Sequence, residues 1–223
     1  MQRLSWILFA LVTPAMIGTL WLVFLHAPDE RVMGPVQRLF YFHVPAAILT
    51  YLAVVVWLAA SIAYLWRREA RWDRLSRAAV EVGLLFCTIV LITGPIWAKP
   101  VWGQYWTWEL RLTTTLILWL LLVSALMVRG YAREPELGAR LSAVIGIVAA
   151  IDVFVIRKAV EWFRGQHPEV LSGGRGALEE RMAQAFAAAN VTLLLLFVLL
   201  LLVRYRMLTL ESRLDALSHR ALG

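Results

Sequence analysis

Charge is scarce in this chain and cysteine is nearly absent. Only 17% of its 223 residues are Asp, Glu, Lys or Arg, against 61% hydrophobic, and mean hydropathy is +0.71. That balance leaves too little polar surface to cover a soluble domain, so the soluble classes are excluded. The single cysteine, Cys87, lies inside an apolar run. It excludes an intrachain disulfide, a CxxC redox pair, a CxxCH attachment site and a thiolate zinc cluster. There is no GxxxxGK[ST] phosphate loop, so any ATP hydrolysis belongs to a partner. Internal repeats and low-complexity tracts are also missing. The formal charge of +7 does not indicate nucleic acid, because the basic residues are spread over short connections rather than gathered on one face.

What the chain has instead is long apolar runs. Six can be marked, at residues 5–25, 40–66, 78–97, 114–128, 141–163 and 183–203. In lipid a backbone segment must satisfy its own polar groups, and a span of about 20 residues does so as a helix. The expectation is an all-α polytopic membrane protein, a bundle of six transmembrane helices forming one domain over residues 1–223. The first run follows Arg3 directly, is long and lacks a small-x-small cleavage site, so it reads as a span rather than a removed signal. Pro14 is expected to kink the first helix, and Gly94 with Pro95 to loosen the end of the third. The run LLLLFVLLLLV at 193–203 is the most lipid-like, and residues 204–223 are expected to form a cytoplasmic tail.

Lys and Arg set the orientation. Thirteen fall on one side of the six-span pattern (Arg3; the arginines of 67–77, of 129–140 and of 204–220) and seven on the other (Arg31, Arg38, Lys99, Arg111, Arg164, Arg175 and Arg181). The positive-inside rule makes the richer side cytoplasmic. Both termini are then expected to be cytoplasmic, in a multi-pass membrane protein. Counting spans also puts His43, His167 and the 97–113 connection on one face, whichever way the protein is inserted.

That connection, WAKPVWGQYWTWELRLT, is the densest aromatic stretch of the sequence. It holds Trp97, Trp102, Trp106, Trp108 and Tyr105. An aromatic belt at headgroup level accounts for one or two of these, not for five. If 102–111 is helical, Trp102, Trp106 and Glu109 share a face at i, i+4, i+7, with Tyr105 and Trp108 on the neighbouring stripe.

Aromatics in a connection have no core to fill, and they suit a wide planar ligand. One with a central metal and an anionic edge needs an aromatic shelf and nitrogen ligands, which is the chemistry of haem. The connection offers the shelf, His43 and His167 the imidazoles, and Lys99, Arg111 and the indole N–H groups partners for the propionates. His26 is a weaker candidate ligand, and His219 belongs to the tail. Within the fifth span Asp152 has no basic partner at helical spacing and is expected to pair across helices. Glu161 can pair with Arg157 or Lys158, and Glu81 with Arg77. Asp152, Arg157 and Lys158 would also serve a small-solute permease, which is the competing reading from another class.

At WGQYWTWE (102–109) followed by LRLT, the chain resembles the tryptophan-rich haem-handling proteins of cytochrome c assembly. QRLFYFHVPAA (37–47), GPIWAKPVWG (94–103) and EWFRGQH (161–167) make it similar to the CcmC, or haem exporter protein C, family within them. The resemblance implies a chaperone rather than an enzyme. It implies non-covalent haem b held outside the cytoplasm between the axial ligands His43 and His167, on Trp102, Trp106 and Trp108, and delivered to the haem carrier CcmE. The implied assembly adds the ABC transporter subunits CcmA and CcmB and the small subunit CcmD. Glu109 stands where the family usually has Asp, and Pro168 and SGGRG (172–176) follow His167. The nearest related alternative is a CcsA-like component of a cytochrome c synthetase, against which the short six-span chain and the 37–47 segment argue.

Overall fold

A computed structural model describes residues 2–31, 33–162 and 178–222. Among them six long helices, and no strands, carry the fold: α1 (Gln2–Trp21), α2 (Phe40–Arg67), α3 (Ala70–Trp102), α4 (Leu110–Tyr131), α5 (Pro135–Trp162) and α6 (Glu180–Leu222). All six contain segments long and apolar enough to cross a membrane. The protein is an all-α polytopic membrane protein, as its hydropathy predicts. A π-helical turn, Leu22–His26, extends α1, and a 3-10 turn, Pro35–Leu39, leads into α2 with Pro35 at its start, where a missing N–H leaves no helical bond unmade.

Several ends differ from those expected. α3 does not loosen at Gly94 and Pro95 but continues through Pro95 and Pro100 to Trp102. Each proline removes one N–H to the carbonyl four residues earlier, but a lipid-embedded helix that unwinds exposes far more unsatisfied backbone, so the helical path is retained. α1 likewise runs through Pro14. Residues 204–222, the expected tail, are helical and continue α6, whose 43 residues correspond to ~65 Å at 1.5 Å per residue, about twice the hydrocarbon thickness. Residues 204–222 contain neither Gly nor Pro, so nothing local stops the helix.

α2 packs along α3, and α4 along α5, with α6 against α1, α3 and α2. Small residues permit the closest approaches. A Cβ at Gly83 would lie 3.0 Å from Ala53, and one at Gly146 would lie 2.8 Å from the Trp57 ring. The main core joins α2, α3, α4 and α5 through Val54, Trp57, Val80, Cys87, Leu118 and Ile156. A second core sits at the Trp97 end, where Phe40, Tyr41 and Trp97 meet Val23, Met182 and Ala185.

The intramembrane charges divide. Glu81 pairs with Arg77 at 3.1 Å as its spacing predicts, and also accepts from Arg204 of α6, a cross-helix partner the spacing does not reveal. Lys158 reaches Glu161 at 2.7 Å. Asp152 departs from expectation: Oδ2 is buried, and no cross-helix ion pair meets it among the described residues. At that depth α5 faces the Val54–Ile156 core, which supplies no cation.

The span count predicts that Gln104, between α3 and α4, and Glu134, between α4 and α5, lie on opposite sides of the membrane. Both are exposed. In a Cys87→Ala background, Gln104→Cys should react with a membrane-impermeant maleimide added outside, and Glu134→Cys only after the membrane is opened. Labelling of both from one side would break the topology.

Candidate functional site

The Trp-rich ends of α3 and α4 and the start of α2 enclose a cleft of about 730 Å³, open mouth included. His43, Ala47, Thr50 and Tyr51 line it from α2, at i, i+4, i+7 and i+8, one face of a helix. Cys87, Leu91, Gly94, Ala98 and Trp102 line it from α3, and Arg111, Leu112, Thr115 and Leu118 from α4.

The aromatic connection is more sharply built than a continuous helix. Gly103, at φ 78°, ends α3 in the left-handed region, and its N–H donates to Lys99 C=O at 2.9 Å. Lys99 Nζ donates back to Gly103 C=O at 2.8 Å and lies over the Tyr105 ring, 5.2 Å from its centroid. α4 starts at Leu110 after an extended Glu109, whose carbonyl accepts from the Thr113 N–H at 3.0 Å and the Thr113 hydroxyl at 2.9 Å. Thr114 and Thr115 hydroxyls donate to Leu110 and Arg111 carbonyls, both at 2.7 Å. Residues 103–109 are therefore not helical, and the predicted common face of Trp102, Trp106 and Glu109 does not form. A glycine that relaxes into positive φ stops the helix before that face can develop.

The turn sorts the aromatics by role. Trp97, Trp102, Tyr105 and Trp106 line the cleft. Trp97 is 7% exposed and forms the inner wall, with its ring centroid 5.9 Å from His43 and 6.4 Å from Trp102. Trp108 is 76% exposed and packs edge-on against Trp106, outside the lining. Glu109 and Lys99 are also outside it. The predicted shelf thus reduces to Trp97, Trp102 and Trp106 with Tyr105 at the rim.

Two of those indoles carry unmet hydrogen-bonding capacity. Trp97 Nε1 and Trp106 Nε1 are buried and have no acceptor among the described residues. Buried donors of this kind cost about 1–3 kcal/mol each when nothing meets them; the indoles of Trp57 and Trp72, outside the cleft lining, are unmet too, and what sets Trp97 and Trp106 apart is that they line the cleft. Arg111 adds a guanidinium to the wall, which Tyr51 also lines.

His43 is the imidazole of the cleft. Its Nδ1 lies 2.8 Å from Thr93 Oγ1 of α3. Of the other candidate ligands, His26 bonds Gln184 at 3.1 Å and stacks on Trp21, away from the cleft. His167 lies outside the described residues. Sequence reasoning missed Thr93, Gly94 and Tyr51. Tyr51 was accessible to it, since helical spacing from His43 places positions 47, 50 and 51 on the same face; Thr93 depends on how α2 and α3 cross, which no spacing contains.

The comparisons with known proteins agree in one direction. The family model described as Heme exporter protein C matches residues 1–220. This chain belongs to the Heme exporter protein C family. Proteins of that name are similar to it in Rhodobacter capsulatus, at 33% identity over 98% of this chain and 91% of the relative, and in Bradyrhizobium diazoefficiens, at 32% identity over 86% and 73%. The Heme exporter protein C of Escherichia coli K12 is 32% identical over 74% of this chain and 66% of its own length. The Heme exporter protein C resemblance read from 37–47, 94–109 and 161–167 is therefore one that extends along the chain.

In this member of the Heme exporter protein C family, Glu109 sits at the residue preceding α4, where a carboxylate is favoured by the helix N-terminus. Asp is at least as good there. Glu109→Asp should leave thermal unfolding in detergent within about 0.5 kcal/mol of the parent, and Glu109→Ala should lose roughly 0.3–1 kcal/mol. A loss of several kcal/mol in Glu109→Ala would give the side chain a larger structural part than a helix start requires.

Proposed function

We propose that this chain is a haem-binding membrane chaperone of c-type cytochrome biogenesis, which receives haem on the extracytoplasmic face and hands it to the haem carrier CcmE. The observation that carries the reading is the cleft: one imidazole, His43, beside a wall of Trp97, Trp102 and Trp106, two of whose indoles hold unmet buried donors. A flat, apolar, metal-centred ligand with carboxylates on its edge meets each of those features. Family membership supports the same reading, since the relatives are named for haem export.

In this reading haem b is cargo, bound without a covalent link. His43 supplies one axial ligand and His167 the other. Trp97, Trp102 and Trp106 hold the ring, while their N–H groups and Arg111 take the propionates as charge-assisted partners. Tyr105 and Lys99 stiffen the rim, and exposed Trp108 with Glu109 faces the acceptor. No bond of the cargo is made or broken by this chain, so it is a carrier rather than an enzyme. CcmA and CcmB, with CcmD, complete the assembly and provide the ATP hydrolysis that this sequence has no phosphate loop to perform. Both termini lie in the cytoplasm of a bacterial cell, and the cleft opens on the opposite side of the cytoplasmic membrane.

The test is colour. The purified protein should carry a Soret band, His43→Ala and His167→Ala should each alter it, and added imidazole should restore part of it by filling the lost position. Glu109→Ala should keep the spectrum yet form less covalent haem adduct with CcmE in the same membranes. A colourless protein that takes up no added haemin, or an unchanged spectrum in His43→Ala, overturns the assignment.

A further inference from the structure

Thr93 does not line the cleft, yet its hydroxyl meets the cleft imidazole. Thr93 Oγ1 lies 2.6 Å from the Ile89 carbonyl and 2.8 Å from His43 Nδ1. A carbonyl only accepts, so the hydroxyl proton goes to Ile89. In the second contact Thr93 is then the acceptor and His43 Nδ1–H the donor. A neutral imidazole that donates from Nδ1 has its lone pair on Nε2. The bond crosses from α2 to α3, and Gly94, the next residue, makes room for it. A Cβ at position 94 would lie 3.3 Å from His43 Cε1 and 4.0 Å from Nδ1, so any larger residue pushes on the ring.

We propose that Thr93 is a positioning residue for metal coordination by His43. It holds the ring in the Nδ1–H tautomer and, by accepting that proton, raises the basicity of Nε2. This rests on the reading that His43 ligates haem iron. Histidines that bind metals commonly donate their second N–H to a carboxylate, carbonyl or water, which orients the ring and tunes the metal. Here the acceptor is a neutral hydroxyl already engaged with a carbonyl. It polarises the imidazole less than a carboxylate would, and so gives a weaker axial bond than a carboxylate partner would give. That suits a ligand which must let go.

Two measurements test the proposal, one of them without haem. The protein has only four histidines, so 15N-histidine NMR of the full chain in detergent, assigned with His43→Ala, reads the tautomer directly. His43 should be the Nδ1–H form in the parent and in Thr93→Ser, and should move towards Nε2–H in Thr93→Val. In haemin titrations Thr93→Val should bind about 10–100-fold more weakly. Its bound haem should also have a higher reduction potential, because a less basic axial nitrogen stabilises the ferric state less. Thr93→Ser should restore both. If Thr93→Val does not fold, Thr93→Ala removes the same hydroxyl and carries the same expectations.

An unchanged tautomer, affinity and potential in Thr93→Val overturns the proposal, while His43→Ala still judges the ligand assignment separately. Equal loss in Thr93→Ser and Thr93→Val also overturns it, since that would make Thr93 a packing residue. Haem binding that ignores His43→Ala would remove the ligand assignment and this inference together.

Discussion

The close approach of α2 to α3 is the constraint on which the site depends. Gly83 lets α3 lie against Ala53 with 3.0 Å between a notional Cβ and its neighbour, and Gly94 does the same for His43 at 3.3 Å. In lipid, helices gain little from hydrophobic association, and contact surfaces depend on such small residues and on interhelical hydrogen bonds. Here both devices occur on one seam. Glycines bring the backbones together, and the His43–Thr93 bond joins them at the level where the cleft begins. Moving α3 outward by even part of a side chain would separate the imidazole from the Trp97 wall.

A second constraint decides where the wall ends. α3 keeps its helical path past Pro95 and Pro100, which carries Trp97 and Trp102 beyond the depth a helix broken at Gly94 would reach. Gly103 then ends it within one residue. The consequence is a short, capped connection rather than an extended loop, and aromatic side chains fixed by the ends of two helices are held more rigidly than aromatics on a free loop. The Lys99–Gly103 bond and the threonine bonds at 113, 114 and 115 satisfy backbone carbonyls at both helix ends, as a low-dielectric setting demands.

Much of this was legible in the sequence, for identifiable reasons. Hydropathy alone gives six helices, because length and apolarity are sufficient conditions for a span. Helical spacing on α2 leads from His43 to Tyr51, and composition singles out 97–113 as the aromatic centre. What was not legible depends on competition between local rules. Pro95 reads as a loosening of the helix end, but α3 runs on through it; Gly103 reads as one residue of a helix, but its φ ends one. Ion pairs at i, i+3 and i, i+4 were predictable for Lys158–Glu161 and Arg77–Glu81, whereas the second partner of Glu81, Arg204, lies 123 residues away on α6. That no cross-helix ion pair meets Asp152 among the described residues could not be read from spacing either, since a costly buried carboxylate normally implies a cation nearby.

On the proposed reading the same geometry addresses the problem peculiar to a carrier, which has to bind firmly and release. A charge-assisted hydrogen bond contributes about 1.5–3 kcal/mol, and each buried indole donor costs roughly 1–3 kcal/mol until an acceptor meets it. Trp97, Trp106 and Arg111 together therefore supply several kcal/mol towards holding an anionic edge without any covalent bond. None of these contacts is individually strong, and each is made at the periphery of the ligand rather than at its metal. An acceptor that forms one covalent bond exceeds their sum, and can do so from the open mouth where Tyr105 and Trp108 are exposed. Firm holding then resides in many weak contacts on the protein side, and the direction of transfer in one strong bond on the other.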